Sequence, residues 1–209
     1  MAEVAAVIFD VGDVLFHWNP KVLYERLIPQ DQALDAFMRE VTTREWHFQH
    51  DAGRPFAETS AELIARFPEH EALIRHWGAH FIDCIGPAVD GMAGMVAALE
   101  RAGVALYGLT NFSAEFWPPF RAREADFFAP FRDILVSGEE RLVKPDPAIY
   151  ARAIERFGID PAATLFVDDR PENVRGAEAA GMRGHLFRDA PALVEALARC
   201  GLAIATPAP

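Results

Sequence analysis

Six residues of this sequence have types that could act together: Asp10, Thr110, Asn111, Lys144, Asp168 and Asp169. Each follows an apolar run. Asp10 closes the run over residues 4–9, Thr110-Asn111 closes residues 104–110, Lys144-Pro145 lies a short loop beyond residues 134–137, and Asp168-Asp169 closes residues 164–167. Carboxylates gathered with too few bases repel one another, so three acids beside one lysine call for a hard divalent cation with oxygen ligands, Mg²⁺ first among them. A cation, an ammonium and hydroxyl or amide donors together make a cradle for a phosphoryl group. A carboxylate inside such a cradle can be the nucleophile and become an aspartyl-phosphate. Lysine is scarce here. Of 20 Lys and Arg residues only Lys21 and Lys144 are lysine, so Lys144 stands out as a place that needs a compact ammonium.

These residues can meet only if the runs are strands of one sheet. Residues 4–9, 104–110, 134–137, 164–167 and 184–187 are short and apolar and are bounded by turn formers, the pattern of buried strands. Helical patterns separate them. Met92, Met95, Val96 and Leu99 share a face that Gly103 ends. Asp146 caps and Pro147 opens a helix that places Ile149, Ala153, Ile154 and Phe157 on one face, up to Gly158, and a third helix opens at Pro171 and ends at Gly181. Strands alternating with helices predict a doubly wound parallel α/β sheet with right-handed crossovers. In such a sheet ligands sit beyond the carboxyl ends of the strands, where the six residues fall. Residues 17–87 show no convincing strand run. Residues 33–41, 56–67 and 72–85 read as amphipathic helices, the last with Leu73, Ile74, Trp77, Phe81 and Ile85 as its stripe. The expected organisation is therefore a core of residues 1–16 and 88–209 with an inserted α-helical cap of residues 17–87.

The 209 residues are 51% hydrophobic, enough for a sizeable core, and carry a formal charge of −11. That charge disfavours nucleic-acid backbones and anionic membrane surfaces as partners. Cys84 and Cys200 make neither a disulfide framework nor a cysteine zinc site, and with no signal-like start at Met1-Ala2-Glu3 and no run long enough to span a bilayer, a cytoplasmic protein is expected. Residues 203–209 read as a frayed tail.

In order along the chain, Asp10-Val11-Gly12-Asp13-Val14, Leu109-Thr110-Asn111, Lys144-Pro145-Asp146-Pro147 and Phe166-Val167-Asp168-Asp169 resemble the four motifs of the haloacid dehalogenase superfamily. The resemblance covers essentially the whole chain. It is nearest to the sugar-phosphate phosphatases with a Phe-Asp-x-Gly-x-Val-Leu start and to the phosphatase domain of soluble epoxide hydrolases. It implies a Rossmann-like core with a helical cap and a Mg²⁺-dependent phosphatase acting on a small phosphorylated metabolite, a sugar phosphate among the candidates, as a monomer or homodimer. It implies Asp10 as nucleophile and metal ligand, the Gly12 carbonyl and Asp169 as metal ligands, and Asp168 as a ligand directly or through water. Thr110 and Asn111 would hold phosphoryl oxygens, and Lys144 would pair with nucleophile and phosphoryl group. His17 and Trp18, where cap joins core, would contact substrate.

Two departures matter. The family's second acid, which protonates the leaving group, is Gly12 here, with Asp13 and His17 as neighbouring substitutes; its loss predicts a preference for anomeric, acyl or aryl phosphates, whose leaving groups need little protonation. The dehalogenases that name the superfamily also lack that acid but work without metal and do not keep paired acids in the fourth motif, so Asp168-Asp169 favours phosphate. A 2-haloacid dehalogenase and a non-catalytic phospholigand-binding relative are the alternative readings. His76 and His80, four apart on a helix, lack a third metal ligand and read, like His47 and His50, as structural or solvated. Trp46, Phe48, Trp77 and Phe81 read as helix-packing residues. Cys84 reads as buried rather than nucleophilic. Phe112, Phe116, Trp117, Phe120, Phe127, Phe128 and Phe131 read as core or as an oligomer contact.

Overall fold

The computed structural model describes residues 4–204. The chain begins with β1 (Ala6–Phe9), then β2 (Phe16–Trp18). Four helices follow, α1 (Asp31–Glu40), α2 (Arg44–Asp51), α3 (Phe56–Arg66) and α4 (Glu71–His80), and β3 (Ile85–Ala88) closes the segment. Next come α5 (Met92–Arg101), β4 (Ala105–Thr110), two short helices α6 (Trp117–Arg123) and α7 (Ala125–Phe128), and β5 (Phe131–Val136). The remainder is α8 (Ser137–Glu140), α9 (Pro147–Phe157), β6 (Thr164–Asp168), α10 (Pro171–Ala179), β7 (Arg183–Leu186) and α11 (Ala190–Arg199).

Five strands form one parallel sheet in the order β5-β4-β1-β6-β7. Every residue of β1, β4 and β6 is buried, the continuous apolar pattern of strands covered on both faces. One apolar layer joins Ile8, Tyr107 and Phe166 to Ile149, Tyr150 and Ala153 of α9. The opposite layer, around Phe9, Leu106 and Val167, runs on into the α1–α4 helices. The chain leaves β1 for β4 and β5 on one side and returns to β6 and β7 on the other, so the loops diverge at the carboxyl ends of β1 and β6 and open a crevice there. The caps foreseen for α9 are present: Asp146 accepts a bond from the Ala148 N–H, and Gly158 ends the helix at φ +61°.

The α1–α4 segment differs from expectation in three ways. Its ends are strands: β2 and β3 pair antiparallel, Phe16 opposite Ala88 and Trp18 opposite Ile85, so the two crossings between helices and sheet are zipped together. These strands are too short for a periodic signal. The helix expected over 72–85 stops at His80, a 3₁₀ turn occupies Phe81–Cys84, and Ile85 is already in β3. Finally, α2 was hidden by its mean polarity and is started by Thr43, whose hydroxyl accepts from the Trp46 N–H.

The helical segment is fastened to the sheet by several bonds. Arg123 donates to the carbonyls of Ile82 and Ile85 at 3.0 Å, Glu115 accepts from the Phe56 N–H at 3.1 Å, and Ser137 Oγ donates to the Asp51 carbonyl at 2.6 Å. Gly53 turns from α2 toward α3 at φ +86°, and a Cβ there would lie 2.7 Å from the Gly138 carbonyl, so only glycine fits both the backbone and the contact. Most of the phenylalanine-rich stretch is core: Phe120 is fully buried, and its ring meets Phe16 edge-on at 5.2 Å. The tail expectation falls largely on residues 205–209, outside the described residues, as does Met1-Ala2-Glu3; Ile204 packs against the core.

Candidate active site

The carboxyl ends of β1, β4 and β6 bring Asp10, Thr110, Asp168 and Asp169 around one side chain, Lys144, which the loop before α9 delivers. Lys144 is 2% exposed; its ammonium lies 2.9 Å from Asp10 Oδ1 and 2.7 Å from Asp168 Oδ2. Two carboxylates thus share one buried ammonium. Burial opposes the charge on Lys144, but Asp10 and Asp168 outweigh it and hold its pKa above the ordinary value. Burial pushes the Asp10 carboxyl up to about 7, with Lys144 opposing and Asp168 adding to the rise. Asp169 is also raised, by burial and then by Asp168.

Asp10, Asp168 and Asp169 can each offer an oxygen, all within 4.8 Å of one another. With Lys144 these groups sum to −2 when ionised, in a largely dry site. Hard oxygen donors with that deficit fit Mg²⁺. Asp169 is the most open of the three, and Gly12 lines the same cavity on the loop after β1. Asp168 is differently employed. Besides Lys144, its oxygens accept from the Asn173 amide at 3.0 and 3.1 Å and from the Arg170 N–H at 2.9 Å. That leaves it little capacity for a direct metal bond and makes it the group that aims Lys144, which favours the water-mediated option.

Asn111 lines the same cavity. Its side chain accepts from the Lys144 N–H at 2.8 Å and donates to the Lys144 carbonyl at 3.0 Å. The amide side chain therefore clamps the lysine backbone. Thr110, 1% exposed, ends β4 against the cavity.

A cavity of about 210 Å³ lies over these groups. Its far wall comes from β2, β3 and α2. Strand alternation decides a pair the sequence treats alike: Phe16 and Trp18 face the cavity, whereas His17 is exposed and absent from its lining. The expectation that His17 contacts substrate is thereby corrected, while Trp18 stays at the cavity, its ring stacked on His47 at 5.2 Å.

The residues that sequence reasoning missed sit mainly on α2. Arg44, His47, Phe48 and Asp51, spaced i, i+3, i+4 and i+7, form one stripe, and all four line the cavity. Trp46 and His50 of the same helix turn into the cap, Trp46 donating to the Thr59 carbonyl and His50 Nε2 lying 2.7 Å from Thr59 Oγ1. Burial drives His47 down to about 3 and His50 to about 4, so both rings are neutral. The spacing of this stripe was visible, but a polar-aromatic mixture does not announce which face is wet. His76 and His80 stack on each other at 4.1 Å, and His80 Nδ1 lies 3.0 Å from Asp83 Oδ2. Cys84 is buried, with its thiol pushed up to about 12 by burial.

The sequence model of the haloacid dehalogenase-like hydrolases matches residues 4–181. The chain belongs to this family. It is therefore a hydrolase on a Rossmann-type core. It is similar to the sesquiterpene phosphatase astK of Aspergillus oryzae, with 28% identity over 190 residues covering 86% of this chain and 87% of that one. The fold matches a family enzyme of Bacteroides thetaiotaomicron solved with magnesium and inorganic phosphate, TM-score 0.69 and 18% identity over 89% of this chain and 95% of the other. It also matches the L-2-haloacid dehalogenase of Xanthobacter autotrophicus, TM-score 0.62 and 21% identity over 87% and 76%. Among the described residues no helix is long and apolar enough to cross a membrane.

Proposed function

We propose that this hydrolase is a Mg²⁺-dependent phosphatase of small phosphomonoesters, working through an aspartyl-phosphate on Asp10. The observation that carries the reading is the shared ammonium: Lys144 lies 2.9 Å from Asp10 and 2.7 Å from Asp168, with Asp169 beside them. Asp10, the Gly12 carbonyl and Asp169 would hold the cation, with Asp168 behind them. When bound, Mg²⁺ would supply positive charge to the phosphoryl oxygens. Lys144 opposes the burial that raises Asp10 and, with the cation, would hold it ionised and oriented for in-line attack. Thr110 and the backbone at Asn111 donate to the equatorial oxygens. Attack by an Asp10 oxygen forms the new P–O bond as the bond to the leaving oxygen breaks; water then cleaves the phosphoryl-aspartate and regenerates Asp10.

We take residues 1–16 and 88–209 as the catalytic core and 17–87 as the cap that excludes water and selects substrate. The cap wall sets Trp18, Phe48, Phe81 and Ile85 beside Arg44, His47 and Asp51. Its rings suit a substrate body with an apolar or aromatic face, which would bury against them. The sesquiterpene phosphatase named above is a relative consistent with that choice. A cytoplasmic setting fits the two free cysteines.

Hydrolysis of p-nitrophenyl phosphate and of a panel of sugar, aryl and prenyl monophosphates, with Mg²⁺ and with chelator, tests this reading. Mg²⁺-dependent phosphate release that Asp10→Asn abolishes is the expected result, with aryl or prenyl esters ranked above sugars. The missing second acid is a feature shared with the dehalogenases; halide release from a 2-haloacid without metal, and no phosphate release, would establish that alternative instead.

A further inference from the structure

We propose that Asp51, carried by the cap, is the acid that protonates the leaving oxygen and then takes the proton of the attacking water, replacing the carboxyl absent at Gly12. The assignment rests on the phosphatase reading and adds a residue to it. A Cβ built on Gly12 meets nothing within 4 Å, so the family's usual place for the acid is open space. The neighbours in sequence do not fill it. Asp13 is exposed, sits at φ +55°, and uses its carboxylate to accept the Trp18 N–H at 3.0 Å. His17 points away from the cavity.

Asp51 is placed for the task. It is 6% exposed and lines the cavity that also holds Asp10, Thr110 and Lys144. Its carboxyl touches His47 Nε2 at 3.5 Å, too long for a good hydrogen bond, and otherwise faces the cavity. Its backbone is fixed to the core. The Asp51 carbonyl accepts from Ser137 Oγ at 2.6 Å, and the same hydroxyl accepts from the Phe112 N–H at 2.9 Å. The cap carboxyl is therefore held in register with the Thr110–Phe112 segment rather than riding on a loose lid.

The charged and titratable groups that line the cavity with it are Asp10, Asp13, Lys144, Asp169 and Arg170 from the core and Arg44 and His47 on its own helix. Burial is the largest influence and pushes the Asp51 carboxyl up to about 8; Asp10 adds to the rise and Lys144 opposes it. At neutral pH Asp51 therefore holds a proton and His47 beside it does not, the protonation state a leaving-group acid needs. In the first half-reaction the Asp51 O–H proton moves to the ester oxygen as the P–O bond breaks and the Asp10–phosphorus bond forms. In the second, the Asp51 carboxylate takes a proton from water as its oxygen bonds to phosphorus and the Asp10–phosphorus bond breaks. Atoms and protons balance over the cycle.

The test is kcat/KM for a series of aryl and alkyl phosphates of rising leaving-group pKa, with Mg²⁺, for wild type, Asp51→Asn and Asp51→Ala, each checked for folding by thermal melting. Wild type should depend weakly on leaving-group pKa. Both variants should lose roughly 10²–10⁴-fold on alkyl and phenyl phosphates and under about tenfold on p-nitrophenyl phosphate, whose anion leaves without help. Gly12→Asp added to Asp51→Asn should restore part of the loss on poor leaving groups, since the space is open. Equal losses on every ester, or no loss, would overturn the assignment while leaving the phosphatase intact. A wild type with no Mg²⁺-dependent phosphate release would overturn both, and is read in a separate arm of the experiment.

Discussion

Folding stability in chelator should fall as pH rises from about 6.5 to about 8.5, and Asp51 should account for much of the fall. Its carboxyl moves from 3.8 to about 8 on folding because it is buried. Across that interval the unfolded chain has already released the proton, while the folded protein must give it up inside a dry cavity. The folded state binds more protons, so stability declines with pH. Integrating the single titration gives about 2 kcal/mol, or roughly 4–8 °C in Tm for a chain of this size. Asp10 and Asp169, also raised chiefly by burial, add to the same limb when no cation is present. Below about pH 6.5 the histidines oppose this trend. His47 and His50 are held down to about 3 and 4 by burial, so the unfolded chain binds protons that the folded one refuses, while Asp51 and Asp10 still hold protons that the unfolded chain has released. The two sets nearly cancel and the curve levels off. Denaturant unfolding in EDTA between about pH 5 and 9 should thus show a plateau on the acid side and a decline above about pH 6.5. Asp51→Asn should flatten the alkaline limb by about 2 kcal/mol and, by removing one of the opposing protons, let stability fall with acid. A wild-type stability that is constant or rises from about pH 6.5 to 8.5, or an alkaline limb unchanged in Asp51→Asn, would refute the placement of a buried protonated carboxyl there.

Other perturbations separate geometry from chemistry. Lys144→Met should abolish phosphate release and also destabilise the metal-free protein by roughly 3–5 kcal/mol, because Asp10 and Asp168 lose the ammonium they share; thermal melts with and without Mg²⁺ read this directly. Trp18→Ala should raise KM roughly tenfold, the equivalent of about 1.4 kcal/mol of lost contact, whereas His17→Ala should leave steady-state kinetics within about twofold, since only one of these neighbours faces the cavity. Gly53→Ala should cost more than about 1 kcal/mol, because a methyl there would meet the Gly138 carbonyl at φ +86°. Gly103→Ala, at φ +77° with open space around it, should cost only the backbone strain, and comparing the two melting temperatures isolates the cap–core contact.

The core was legible because its signals are local. An apolar run that ends in an acid both buries a strand and fixes where the acid emerges, so Asp10, Thr110 and Asp168 could be placed at one edge from the sequence. Asp146 and Gly158 bound α9 by rules that operate over a few residues. The cap was less legible. Its connecting strands β2 and β3 are three and four residues long and exist only because they pair with each other across the inserted helices. Roles inside the site also escaped the motif reading. Nothing local says that Asn111 spends its side chain on the Lys144 backbone, or that Asp168 is saturated by Lys144, Asn173 and Arg170.

Asp51 shows why a site can be complete while its motif is not. In the sequence it follows a histidine within a polar stretch that carries no sign of a site. What changes its chemistry is tertiary: burial at 6% exposure, the Ser137 bond that holds its backbone to the core, and a cavity shared with Asp10. Glycine two residues after the nucleophile removes an acid from the strand loop, and it also clears the space through which a carboxyl on the opposite wall can reach the leaving oxygen. A large side chain at position 12 would fill that space from the core side. The missing acid and the buried cap carboxyl are therefore coupled features of one cavity, so Gly12→Asp and Asp51→Asn should be non-additive: each alone should change leaving-group dependence, and the pair should behave more like wild type than Asp51→Asn does.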